Sequence, residues 1–297
     1  MKNLFPECGK WFRGNLHMHT TCSDGKLSQK QALQIYREAG YDFVAMTDHW
    51  VQNRNITSAN GMLVMDGIEL DNGGHNPIYH ILGVGMEREI SLDRSAKLEP
   101  QQMINAVREA GGLAILAHPM WSVTDPQDVM NLAGLCGTEI YNTVSGLPWN
   151  GDRADSSAYI DIWALKGKMM RCLAGDDSHF YNGEQTRSYI MVKANECTLP
   201  ALKKALLAGD FYASQGPRFH AIRVGGGRVE VECSGAKTVV FNSNTVWCDD
   251  RVQPAVRGIT AYTVKPTDTY VRVVLLDAEG RKAWSSPFVV GAGRSEE

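Results

Sequence analysis

Between residue 11 and about residue 215, short apolar runs alternate with stretches whose apolar positions recur at helical spacing, the pattern of successive βα units. NLHMHT reads as a strand. SQKQALQIYREAG, residues 28 to 40, reads as a helix with Ser28 as N-cap and Gly40 just past its end. The apolar runs YDFVAMTDH, GMLVMDGIEL and YHILGVG follow, then a helix around 101 to 110 and the run GLAILAHP. TEIYNT and KMMRCLAGDDSH complete the series, and another helix is expected near 199 to 208. About seven strand candidates suit a closed β/α barrel better than an open sheet. After GDFYASQGPRF the period falls to two, in VEVEC, KTVVFNS, ITAYTV and YVRVVLLD. That alternation belongs to antiparallel strands with one face on a core. The expected division is therefore an α/β barrel over residues 1–215 and a small antiparallel, sandwich-like all-β domain over residues 216–297.

Composition narrows the partners. A chain of 297 residues with 43% hydrophobic and 21% charged residues can bury a sizeable core and is not disordered in composition. A net charge of -3 gives no sign of a nucleic-acid partner, which calls for a strongly basic face. Seven cysteines, scattered and never in a C-x-x-C arrangement, argue for a reducing compartment and against a disulfide framework or a zinc ribbon. MKNLFPECGKWFRG has no apolar leader core, and no run approaches the ~18 apolar residues of a membrane span. A cytoplasmic protein acting on a small molecule, without membrane or nucleic-acid contact, is the expectation.

The chemistry gathers at the ends of the apolar runs. His17 and His19 lie two apart in NLHMHT and so share a face of that strand. Asp24 follows in the next loop, His49 ends TDH, Glu69 ends GIEL, His80 lies in YHILG, and His118 ends LAHP. Asp177 and His179, again two apart, end GDDSH. In a β/α barrel the carboxyl ends of the strands open on one face, where active sites are built. Imidazoles and carboxylates without thiolate form a ligand set for Zn, Mn or Fe, and nine such residues exceed the needs of one ion. Two or three divalent ions are implied. Hydrolysis of an ester by metal-activated hydroxide is the default chemistry of such a centre.

HMHTTCSDG, TDH, the glutamate before YHILG, AHP and GDDSH resemble the ordered motifs of the PHP (polymerase and histidinol phosphatase) superfamily of metal-dependent hydrolases, over residues 15 to 179. KALLAGDFYASQGPRF with the β region behind it is similar to the CehA/McbA-like branch. The resemblance implies a distorted (β/α)7 TIM-like barrel with a trinuclear metal site on its C-terminal face. It assigns one ion to His17, His19, Glu69 and Asp177. A second shares Glu69 with His80 and His118, and a third takes Asp24, His49 and His179. Catalysis is expected to depend most on Asp177, Glu69 and His179.

Other residues carry weaker signals. Asp48 and Asp176 adjoin ligands and read equally well as supporting or structural. His75, in a Gly-rich loop, competes with His80, which is preferred for its place in an apolar strand. Arg187 and Asn142 are candidate substrate contacts, the first because a guanidinium holds a phosphate bidentately. Trp50, Trp121, Trp149 and Tyr181 fall in or near loops that could wall a pocket. His220 reads as structural. The expected activity is that of a phosphoesterase releasing phosphate from a small phosphomonoester or nucleotide-like compound. The same centre would serve a carbamate, carboxylic ester or amide hydrolase, and a non-catalytic metal-binding module is the alternative from another class.

Overall fold

The structure, a computed structural model, describes residues 1–73 and 77–291, so His75 lies outside the described residues. Residues with helical spacing form α1 (Gln29–Glu38), and its ends follow from local chemistry. Ser28 caps it, accepting from the Gln31 backbone in a capping box that the Gln31 side chain completes. Gly40, at φ 78, ends it in the left-handed region where a side chain would be strained. α2 (Pro100–Glu109) and α5 (Leu199–Ala208) lie where their periodicity places them. α3 (Pro126–Met130) and α4 (Ser157–Leu165) do not stand out in the sequence. The first is only one turn, and apolar residues of α4 point both inward, as Ile160 and Trp163 do, and outward, as Leu165 does.

The fold is mixed α/β, with sheets that are not closed. A five-stranded sheet runs in the order Cys172–Gly175, Leu135–Asn142, Leu113–Leu116, His80–Val84, Gly67–Asp71. A larger sheet carries Lys10–Asn15, Phe43–Ala45 and Met62–Met65 as parallel neighbours. The two sheets meet through single bridges, Met18 with Ser178 and His49 with Glu69. Both bridges stand beside ligand-type residues. One apolar cluster collects Phe43, Met65, Leu82, Ile115, Leu173 and Ile190 from strands of both sheets, so the sheets face a common interior.

The alternation of strands and helices breaks at one place that matters for the site. Gly67–Asp71 and His80–Val84 pair antiparallel, with Asp71 opposite His80. The connection over residues 72 to 79 is too short for the crossover a parallel pair requires, about a dozen residues or more. His80 therefore begins its strand instead of ending it, and the reversal brings it to the same rim as Glu69. An apolar run buried on both faces reads alike in either direction, so the pattern does not reveal this.

Beyond residue 215 every pairing among the described residues is antiparallel, as the period of two suggests: Arg218–Gly225 pairs with Arg228–Ser234, and Thr238–Ser243 with Tyr270–Leu276. Strand pairing nevertheless crosses the expected boundary. Phe211–Ser214 pairs with Lys282–Trp284, and Lys2–Asn3 pairs with Arg218–Gly225. Buried Arg272 also forms an ion pair with Asp161 of α4 at 2.7 Å.

Candidate metal centre

Strand alternation delivers the ligand-type side chains to one place. Ile68 and Leu70 pack outward in the cluster that includes α2, and Glu69 between them turns inward. Leu82 and Val84 face the interior, and His80 shares their period. Leu173 does the same for Gly175 and Asp177. At the chain reversals the backbone leaves its ordinary regions: His118 has φ 25 and Asp177 φ 54. Such conformations cost about 1–3 kcal/mol each and persist where surrounding contacts hold them. Here the His118 N–H donates to Glu139 at 2.9 Å and the Asp177 N–H to the His17 carbonyl at 2.9 Å.

Three groups of donor atoms, each within 4.8 Å of one another, result: His17, His19, Glu69 and Asp177; His49, Glu69 and His80; and His19, Asp24, His49 and His179. The first matches the expected ligand set. In the second, His49 takes the place expected of His118, which stands 3.4 Å from Glu69 and 3.8 Å from Asp177. In the third, His19 joins the expected three. His49 turns Nδ1 toward Glu69 at 3.4 Å and Nε2 toward Asp24 at 4.0 Å, so it lies between two groups.

The donor atoms fit a cation better than they fit each other. His17 Nε2 and His19 Nε2 each lie 3.1 Å from Asp177 Oδ1, and 3.2 and 3.1 Å from Glu69 Oε2. Yet His17 Nε2, His19 Nε2, His49 Nδ1 and Asp177 Oδ1 are buried without a hydrogen-bond partner. Atoms at hydrogen-bonding distance but not aligned on one another are arranged as ligands around a shared centre. Leaving them unpartnered would cost of order 1–3 kcal/mol apiece.

The opposite ring nitrogens are held from outside. His17 Nδ1 lies 2.9 Å from Glu139, His118 Nδ1 3.1 Å from Ser122, and His179 Nδ1 2.8 Å from the Asp177 carbonyl. A proton kept on Nδ1 leaves Nε2 free to ligate. Glu139, absent from the expected residues, is the main such support. Buried itself, it also takes the His118 N–H and accepts from the Asn142 side-chain amide at 2.8 Å. Gly175 makes room for it, because a Cβ there would lie 2.5 Å from Glu139 Oε1. In the sequence Glu139 looks like one more alternating polar residue of TEIYNT. Its inward direction beside His17 is the only signal, and it needs the fold.

The charges reinforce one another. Burial opposes protonation of His17, but Asp177, Glu69 and Glu139 raise its pKa well above the ordinary histidine value. His19 and His80 are raised too, against burial, by Asp177 with Glu69 and by Glu69 respectively. His179 is lifted to about 9 because Asp177 and Asp24 outweigh its burial. His49 is lowered by burial. Glu69 and Asp177 are held well below the carboxylate range, against burial, by the histidines around them. The cluster thus binds protons where a metal ion would compete for the same lone pairs.

The neighbouring residues separate by what they touch. Asp48 accepts from the Thr20 N–H at 2.6 Å and from Ser23 and Asn53, tying down the loop that carries His19 and Asp24. Asp176 is buried and accepts from Tyr36 and from the N–H groups of Thr186, Arg187 and Ser188. Asn142 is also buried, and its amide is spent on Glu139 and Asp177 rather than on the pocket. Arg187 lines an adjoining cleft with Arg13 and Arg281, outside the wall of the metal pocket. Trp50 donates to Asp71 at 2.7 Å, and His220, in the β region, lies 2.9 Å from Ser234. Trp121 and Trp149 do line the pocket, a cavity of about 220 Å³ over the histidines. None of its described lining residues is lysine or arginine.

No family model and no curated protein matches the chain. Among solved structures it is similar to a two-domain protein from Bacteroides vulgatus containing a predicted PHP-like metal-dependent phosphoesterase, with TM-score 0.55 and 14% identity over 96% of this chain and 97% of that one. At such identity the likeness is one of fold. An amidohydrolase from Chromobacterium violaceum, with bound sulfate and no metal, is similar at TM-score 0.40 and 14% identity over 58% of this chain and 89% of that one. A lesion-specific endonuclease from Pyrococcus furiosus is similar at TM-score 0.47 and 15% identity over 80% of this chain and 64% of that one. Those two likenesses are too loose to carry an argument.

Proposed function

We infer that the protein is a PHP-type metal-dependent hydrolase, and that its reaction is the release of phosphate from a small phosphomonoester. The observation that supports this most is the convergence of buried, unpartnered His17 Nε2, His19 Nε2 and Asp177 Oδ1 beside Glu69. His17, His19, His49, His80, His118 and His179 with Asp24, Glu69 and Asp177 are the ligands in this reading, for two or three of Mn, Zn or Fe. Divalent ions held there would supply Lewis-acid charge and an acidified water, the chemistry that ester hydrolysis needs. The chain's own part is positional. Glu69 stands within 3.4 Å of five histidines and belongs to two of the three donor groups, so it would help to hold an ion in either. Glu139 holds His17 by Nδ1, and Trp121 packs edge-on against His80 and His118 at 5.9 and 4.9 Å, restricting water at one side. Residues 1–215 are the catalytic unit in this proposal, barrel-like in plan, with residues 216–297 as a β unit joined to it. The CehA/McbA-like likeness and a cytoplasmic setting belong to the same proposal.

A second reading, hydrolysis of a carbamate, carboxylic ester or amide, is favoured by the lack of lysine and arginine among the described pocket residues, since those side chains commonly fix a phosphoryl group. The test is a panel of phosphomonoesters, phosphodiesters, carboxylic esters and carbamates with the manganese-loaded protein, and with Asp177→Asn beside it. Phosphate release that the substitution abolishes is expected. Turnover of carbamates or carboxylic esters alone would replace this reading with the second. Metal binding with no turnover at all would leave a non-catalytic module.

A further inference from the structure

The mouth of the pocket carries two large aromatic side chains that the metal chemistry does not use. Trp149 is 64% exposed and Phe180 39% exposed, and their rings meet edge to face at 4.7 Å. Both line the cavity that holds the histidines. Exposed apolar surface at the mouth of a cavity is the kind of surface that marks a ligand-binding groove.

Their loops are fixed rather than loose. Phe180 lies in a turn whose N–H groups at Phe180, Tyr181 and Asn182 all donate to the buried carboxylate of Glu184, at 2.6, 2.5 and 2.8 Å. Trp149 lies in the short 3-10 turn Pro148–Asn150. Asn150 pins that turn, donating to the Val144 carbonyl at 3.1 Å and accepting from the Trp121 indole at 3.1 Å. A rigid aromatic wall loses little side-chain entropy when it takes a flat group, and ring faces and edges attract each other beyond simple burial.

We propose that Trp149 and Phe180 form a subsite for a single flat ring bonded directly to the scissile group, so that the preferred substrates are aryl esters rather than aliphatic ones. This inference rests on the hydrolase reading above and names the substrate class for it. The cavity, about 220 Å³ against the ~300–1,000 Å³ of common ligand pockets, is small, and its size suits one ring beside the ester.

The test uses the manganese-loaded full chain and three esters of one bond type: phenyl phosphate, glycerol phosphate and adenosine monophosphate. Calorimetric binding of phenylphosphonate against methylphosphonate runs beside it and does not depend on turnover. Phenyl phosphate should exceed glycerol phosphate in kcat/KM by about ten-fold or more, and Trp149→Ala should cut that ratio about ten-fold, chiefly through KM. Phe180→Leu should cut it less, and Trp247→Ala, a distant residue 81% exposed on the β unit, should leave it alone. Equal rates for phenyl and glycerol phosphate, or a Trp149→Ala effect shared equally by both, would overturn the ring subsite and leave the hydrolase reading standing. Preference for adenosine monophosphate over phenyl phosphate would overturn the direct attachment of the ring. No turnover of any of the three phosphates, with phenylphosphonate still favoured and that preference lost in Trp149→Ala, would keep the subsite and sink the phosphate-release reading. Failure of both turnover and phosphonate discrimination would remove both.

Discussion

Two buried carboxylates in this molecule answer the same physical problem in opposite ways. Asp268, in the β region, accepts from Tyr262 and Ser243 at 2.8 Å, from Thr245 at 2.6 Å and from the Lys265 N–H at 2.8 Å. All four donors lie within 25 residues of it, and none is a histidine. Asp177, at the rim, stands among four histidines, and its Oδ1 has no hydrogen-bond partner although two ring nitrogens lie 3.1 Å away. A carboxylate whose lone pairs are consumed by neutral donors holds a loop together. One whose lone pairs are left aimed at a common centre with others of its kind is arranged for a cation.

The strongest way to break that contrast is substitution at Asp177. Asp177→Asn should lower metal-dependent turnover by more than the ~10–100-fold that loss of a ligand's supporting partner costs, with the circular dichroism spectrum unchanged. Turnover that survived the change would return Asp177 to the structural class of Asp268. Glu139→Gln sharpens the comparison one step out, because the amide still fills the space beside Gly175. Manganese affinity measured by calorimetry should fall about 10–100-fold. A lower melting temperature with unchanged affinity would make Glu139 a packing residue only.

Asp268→Asn is the mirror experiment. It should cost about 1–3 kcal/mol by leaving donors unmatched, seen as a lower melting temperature, while the metal-loaded rate at low temperature stays as in the parent protein. A loss of rate without a loss of stability would mean that the β region takes part in the reaction.

The smallest effect is on pH. His179 is raised to about 9 in the folded protein against an ordinary 6.5. Its protonation therefore stabilises the metal-free protein fully below 6.5, and that stability is lost as pH rises through 9. Metal binding runs the other way, since the same protons must leave before the ligands can act. The gap in melting temperature between manganese-loaded and chelator-treated samples should thus widen from pH 6 to pH 9. A constant gap would mean that protons and metal do not compete at these histidines.

The helix α1 was legible because its cap, its period and its terminal glycine all lie within residues 28 to 40. All the ligand-type residues but Asp24, which lies in a loop, were legible for a similar reason: each closes or opens a short apolar run, and a strand's alternation fixes which side it presents. For Asn142, a weak candidate for a substrate contact, its place at a strand end says nothing of how its amide is spent, and in the structure that amide is held by Glu139 and Asp177. Arg187 is a similar case. Proximity to GDDSH along the chain placed it near the metals, whereas the turn held by Glu184 and Asp176 directs it to the next cleft.

By itself, then, the sequence determined the inventory: an α/β region followed by alternating β strands, and nine metal-capable side chains, all but Asp24 set at the ends of apolar runs. Those are properties of neighbours along the chain, where the backbone period and the chemistry of each side chain suffice. Only the tertiary structure decided that the strand of His80 runs backwards, that pairing continues past residue 215, and that Glu139 stands behind His17. It also brought Trp149 against Phe180 over the same cavity. Each of these joins residues that are distant in sequence or sets the direction of a strand, and such choices are made by packing and hydrogen bonding between whole elements, which local periodicity does not encode.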